Sequence, residues 1–302
     1  MPRSLKPEHF EEILTGLPNG VYVVDPDRKI LFWNCGAERI TGYRSQEVLG
    51  LHCQDNLLMH CDENYTPLCG DRCPLKMTIE DGHPREANLY LRHKEGYRVP
   101  VKVRAVPVRD ADGVIIGAAE TFDECHDVPE LHVHPKAKAV RNQTDQRTGV
   151  SDQPSTERYL NACLQDYTDD HIPFGVLVIA IDELDQFRGR YGGEAVAKIM
   201  HMVATTVAKS LREGDIVGDW SANRFLALVV NCPPETLARL VFMLKRVVSV
   251  AEISWWGDRQ GVTVSIGGAA ARPDDTVDSL LGRCESALLA CTGKGGNGGD
   301  VL

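Results

Sequence analysis

No stretch of this 302-residue chain is long and apolar enough to span a bilayer, and its N-terminus, MPRSLKPEHFEE, has no apolar secretory core. Both absences point to a cytoplasmic protein. Basic charge is scarce as well. The 33 Lys and Arg stand against 43 Asp and Glu, a net charge of −10. With no spare cationic surface to release phosphate counterions, nonspecific nucleic-acid binding is excluded as a principal task. What remains is the composition of a soluble globular protein, 43% hydrophobic and 25% charged, long enough for two domains with a core each. Ten cysteines are present. In a cytosolic chain, clustered cysteines point to metal or redox chemistry rather than to structural disulfides.

Residues 8–124 read as a first domain. A short amphipathic helix carries Phe10, Ile13, Leu14 and Leu17 on one side. Pro18-Asn19-Gly20 ends it. Strands at 21–24 and 29–33 flank an Asp25-Pro26-Asp27 turn, followed by a short helical stretch closed by Gly42. An irregular Cys-rich stretch comes next, and three strands (86–92, 98–109 and 114–123) complete the domain. This order, with GVYVVDPDRKILFWNCGAERITGY near its start, resembles a PAS sensory domain, which implies an antiparallel five-stranded sheet with flanking helices.

Within it, LHCQDNLLMHCDENYTPLCGDRCPL places His52, Cys53, His60, Cys61, Cys69 and Cys73 close together. Cys69 and Cys73 are four apart and precede Pro74, so two ligands could share one turn, with Cys53 and His60 completing a tetrahedral set. Thiolates with an imidazole suit zinc, iron or an iron–sulfur centre. The alternatives are a thiol switch such as Cys69 with Cys73, plain free thiols, or a haem held by His60 alone. The spacing also resembles a cysteine-rich PAS variant joined to signalling modules, which implies Cys53, His60, Cys69 and Cys73 as the metal set, with Cys61 as an extra.

Residues 125–144 read as a linker. Pro129 and Pro135 prevent one continuous helix.

Residues 145–294 alternate helix, strand (176–182), helix, hairpin (216–230), helix, strand (261–270) and helix. That pattern predicts an α+β domain with one mainly antiparallel sheet. The segment 295–302, Gly-rich and without the Ser or Thr of a phosphate loop, reads as a flexible tail.

Arg212-x-x-Asp215, five residues, then Ser221-Ala222-Asn223-Arg224-Phe225 and an apolar strand resemble a GGDEF domain of the diguanylate cyclase family. Asp145-x-x-Thr148-Gly149, Tyr191-Gly192 and Thr263-Val264-Ser265-Ile266-Gly267 extend the resemblance. It implies a nucleotidyl-cyclase-type sheet with helices on its faces. It also implies which positions matter, and several depart from the family. Ser221 and Ala222 stand where two glycines admit GTP phosphates. Asn223 replaces an acidic metal ligand and Arg224 the following Glu. Ala180 falls at the first metal Asp, while Asp182 keeps the second acidic position. Arg188, Ala197 and Thr292 fall at the positions for base reading, a helix Asp and a phosphate-facing Lys. A neutral Asn and a cationic Arg are poor partners for magnesium. The expectation is therefore a degenerate domain that is not an enzyme. Arg212 and Asp215 keep the spacing of the family's cyclic di-GMP site, which implies that dinucleotide as a possible ligand. A structural cap is the rival role for the pair. The whole reads as a sensor relaying a redox, metal, gas or small-molecule signal to a downstream signalling protein, with a homodimer through the PAS domain or linker.

Overall fold

The computed structural model describes residues 6–55, 57–62, 64–125, 143–212, 214–221, 223–293 and 295–302. They form two compact units that divide at residue 125, apart from residues 96–98, which group with the second. The linker reading lies almost wholly outside the described residues.

In the first unit, α1 (Pro7–Gly16) leads into β1 (Gly20–Val24) and β2 (Ile30–Trp33), then α2 (Cys35–Thr41) and α3 (Ser45–Val48). Asn34 organises this region. Its buried Oδ1 accepts from the backbone N–H of Val21 and Ala37, capping α2, while Nδ2 donates to the carbonyls of Leu14, Leu17 and Asn19. One side chain thus ties α1, β1 and α2 together. Gly36 follows because a Cβ there would sit 2.1 Å from the Asn19 carbonyl. The stretch read as irregular contains a further helix, α4 (Pro74–Asp81), opened by Pro74 and stopped by Gly82 at φ 72. Both end signals were in the sequence, but eight residues carry too little periodicity to show. Strands β3 (Arg85–Arg92), β4 (Arg98–Arg109) and β5 (Ile115–Glu124) complete a five-stranded antiparallel sheet of order β2-β1-β5-β4-β3.

The second unit is built on β6 (Phe174–Ile181), in which every residue but Ala180 is buried. Such an unbroken apolar run belongs to a strand covered on both faces. Helices α5 (Gln153–Asp170), α6 (Leu184–Ser210), α7 (Pro234–Ser249) and α8 (Val277–Thr292) surround a sheet that also holds β7 (Ile216–Ser221), β8 (Arg224–Val230) and β11 (Val264–Ala270). One face of the sheet, with Val176, Val178, Leu226 and Leu228, packs on Tyr159 and Leu160 of α5 and on Leu280, Cys284 and Leu288 of α8.

Two elements differ from the sequence reading. Residues 252–261 form a separate hairpin of β9 (Glu252–Trp255) and β10 (Asp258–Gly261). It turns on Trp256 and Gly257, both at positive φ. That backbone suits a primed hairpin turn, but Trp-Gly is not the usual Asn-Gly signal, so the turn was missed. The segment read as a flexible tail contains β12 (Gly299–Val301), which pairs parallel with β11 and completes the order β12-β11-β6-β8-β7. Three residues are too short for a sequence pattern, and only the open edge of β11 gives them a partner.

Candidate functional site

The antiparallel register of β6 and β8 sets Ala180 opposite Arg224, and that of β7 and β8 sets Ser221 opposite Arg224. The positions singled out on the two strands therefore meet at one end of the sheet. Ile181 N–H donates to the Asn223 carbonyl at 3.3 Å. Ala222 lies outside the described residues.

Asp182 is held rather than free. Its Oδ2 accepts from Thr263 Oγ1 at 2.7 Å and from Asn297 N–H at 2.8 Å, and its Oδ1 accepts from Ser265 Oγ at 2.7 Å. Those donors come from β11, the loop before it and the segment leading into β12. Asn223 Oδ1 is buried with no hydrogen-bond partner among the described residues, an oxygen left for a donor or a cation. Arg224 is not a bare cation. Its Nη1 lies 2.6 and 2.7 Å from the two carboxylate oxygens of Glu285 on α8. The Arg224 charge, expected from the sequence to repel magnesium, is largely compensated by Glu285, 61 residues away. Nothing in the sequence near Arg224 signals that partner.

Arg212 and Asp215 face inward, their side chains 9% and 1% exposed. Asp215 Oδ1 accepts from Arg212 Nε at 3.4 Å and from Val230 N–H at 3.2 Å, and Oδ2 from Arg212 N–H at 3.3 Å. Burial pushes the Asp215 carboxyl up to about 6, with Arg212 opposing it. Asp215 closes the turn before β7 and ties it to the end of β8. This is the capping role, not an outward-facing dinucleotide grip.

In the first unit, Cys53, His60, Cys69 and Cys73 do come together, lining one cavity of ≈ 10 Å³ with Tyr22 and Arg28. Cys61 is turned elsewhere, its Sγ 3.8 Å from the Tyr90 carbonyl. Tyr22 donates to the buried Glu120 at 3.0 Å, and His60 Nε2 lies 3.9 Å from the same oxygen. Burial pushes the Cys53 and Cys73 thiols up and Cys69 to about 11, so at neutral pH these sulfurs are protonated and slow to react. Among the described residues, no group of three or more His, Cys, Asp or Glu is arranged to hold a metal ion. The cavity has room for about one water molecule, far short of a haem. The expected zinc, iron, cluster or haem does not fit the side chains as they stand, because the four residues share a cavity without forming a ligand shell.

Two sequence families account for most of the chain. Residues 142–298 match the diguanylate cyclase GGDEF domain and residues 18–125 a PAS domain. The chain belongs to the GGDEF diguanylate cyclase family and carries a PAS domain ahead of that module. Diguanylate cyclase DgcM of Escherichia coli K12 is 29% identical over 124 residues, 41% of this chain and 30% of DgcM. Probable diguanylate cyclase DgcE of the same organism is 22% identical over 299 residues, 97% of this chain and 26% of DgcE. The chain thus spans under a third of the length of either relative. Among solved structures, diguanylate cyclase SiaD of Pseudomonas aeruginosa, in complex with its activator SiaC, has a TM-score of 0.53 at 18% identity, covering 55% of this chain and 64% of that one. The GGDEF domain of DgcB from Caulobacter crescentus, in complex with c-di-GMP, has 0.51 at 17%, covering 59% and 98%. At those identities the likeness is one of fold.

These findings overturn the expectation that the chain is not an enzyme. The family match and relatives named as cyclases point to a diguanylate cyclase, and the compensated Arg224 removes part of the argument against one. Among the described residues, no helix is long and apolar enough to cross a membrane.

Proposed function

We propose that this chain is a PAS-regulated signalling protein whose GGDEF domain acts on guanine nucleotide in the manner of a diguanylate cyclase, joining two GTP into cyclic di-GMP as each 3′-hydroxyl displaces pyrophosphate from the other nucleotide's α-phosphorus. The observation that carries the proposal is the family match over residues 142–298, supported by the meeting of Ala180, Asp182, Asn223 and Arg224 at one end of the sheet.

A magnesium ion in such chemistry would be held mostly by water and phosphate oxygens, with one or two protein oxygens. The unpartnered Asn223 Oδ1 is the oxygen open to it; Asp182, whose oxygens accept from Thr263, Ser265 and Asn297, would exchange donors to reach it, and the ion would stabilise charge developing on the phosphates. The chain's own residues position the substrate. Arg224, held by Glu285, carries a guanidinium suited to phosphate, and Asp182 fixes the β6 end against β11. Formation of one product from two nucleotides brings two GGDEF domains together, so a homodimer follows. The PAS domain supplies the input, and a protein partner acts on either half.

The test is incubation of the full chain with GTP and Mg²⁺, with chromatographic separation of the product. Cyclic di-GMP is expected, reduced about tenfold or more by Arg224→Ala, in line with the loss of one charged contact to the phosphates. No product from the unaltered chain, at a protein concentration that supports pairing, would refute the proposal.

A further inference from the structure

A concavity in the GGDEF unit borders the strand-end site at Asp182 and extends from it along α6. A cleft of ≈ 370 Å³ separates the first half of α6 from the strand and loop leading into β11, with Glu183, Gln186, Phe187, Arg190, Tyr191 and Gln260 in its wall. The α6 residues recur at helical spacing on one side of the helix. Asp185 and Arg188, paired with each other at 3.3 Å, are not among the lining residues, and neither is Arg224.

The wall has a definite chemistry. The Phe187 and Tyr191 rings lie 4.7 Å apart, and the Arg190 guanidinium carbon is 5.8 Å from the Tyr191 centroid. Gln186 and Gln260 each offer a donor and an acceptor, and Glu183 offers a carboxylate. Asp182 also borders the cleft, but its oxygens are engaged by Thr263, Ser265 and Asn297. The helical segment is bounded by special backbone at both ends. Glu183 is left-handed at φ 52, ψ 24, and Gly192 interrupts α6 at φ 83, ψ 175. A non-glycine residue in that region is strained, and such strain gathers at sites that bind or switch.

We infer that this cleft is a binding site for a purine base or nucleoside. Aromatic faces stack on a heteroaromatic ring. A carboxylate beside two amides reads an edge that carries N–H, amino and carbonyl groups. The volume falls within the range of small-molecule sites. Charge narrows the class further, since Glu183 offsets Arg190 and leaves the wall without the net positive charge that would attract a polyphosphate. A ligand here bridges the first half of α6 to the β10–β11 loop, one residue from the Asp182 that anchors the end of β6. Apart from Asp182, which borders both, the site uses side chains other than those of the strand-end site, and so goes beyond the cyclase proposal.

Calorimetry on the full chain with guanosine and with adenosine, without GTP or metal, tests it. Saturable binding of at least one is expected, weakened about tenfold by Phe187→Ala, as for the loss of one stacking contact, and also weakened by Gln260→Ala. Absence of saturable heat for both nucleosides at millimolar concentration overturns the inference, as does binding that survives both substitutions. Should Phe187→Ala fail to melt cooperatively, Gln260→Ala, on the half-exposed edge of β10, decides alone. Absence of cyclic di-GMP from GTP with nucleoside binding intact would reject the cyclase proposal and leave this one standing.

Discussion

Replacing Asp182 with alanine would leave two hydroxyls and one backbone N–H without their acceptor, and Ser265 is wholly buried. Leaving buried donors unmatched costs more than the net value of the bonds themselves. Asp182→Ala is therefore expected to lower stability by about 3 kcal/mol, read as a fall in the urea midpoint at constant slope. Asp215 makes a different test. Its folded carboxyl, pushed up to about 6 by burial, binds a proton more tightly than the unfolded one near 4. The folded state thus loses stability as pH rises from about 4 to about 6 and loses no more above that. Asp215→Asn cannot ionise, so its unfolding midpoint is expected to lack this component of the pH dependence, whatever its overall offset. Glu285→Gln should matter little to the fold. The pair with Arg224 is more than a third exposed on one side, and such pairs contribute at most about 1 kcal/mol.

At the scale of elements, β12 is the decisive addition. It covers the outer edge of β11, and Arg283 of α8 donates to the Leu302 carbonyl. Removing residues 299–302 uncovers a row of backbone groups and drops that contact, so the thermal midpoint is expected to fall by several degrees, the effect of about 1–2 kcal/mol in a domain of this size. A melting curve identical to that of the full chain would show that the edge strand contributes nothing. The hairpin β7–β8 was legible in advance, because a β-branched approach, a polar break and an unbroken apolar run admit few other readings. The hairpin β9–β10 was not, because its turn residues are individually unusual. Helix α4 shows the same limit. Its end signals were present, but its body was too short to announce itself.

For the whole molecule, the division into two compact units leads to the prediction that residues 143–302 fold without residues 96–98, the one short segment of the N-terminal half that groups with them. A single cooperative melting transition of that fragment is the expected result. Thiol labelling reports on the complete chain. Cys35 is exposed, Cys69 and Cys125 are intermediate, and seven cysteines are buried. Cys35 should react fast with a disulfide reagent, and the buried seven should appear only on denaturation. Fast reaction of Cys53 or Cys73 would contradict the protonated, buried cavity described above.

The sequence by itself determined the PAS-then-GGDEF architecture, the strand ends that meet at Ala180 and Arg224, and the order of the elements other than α4, β9, β10 and β12, because hydrophobic periodicity and motif spacing are local properties of the chain. Tertiary structure alone decided which charges are compensated. Glu285 reaches Arg224 from another helix, Thr263, Ser265 and Asn297 close on Asp182 from three separate places, and Val230 takes Asp215 out of solvent. Partners that far apart in the chain leave no local trace, and electrostatic consequences depend on distance in space rather than on position in sequence. That is why the Arg224 charge, read from the sequence as unopposed, is met in the fold by Glu285.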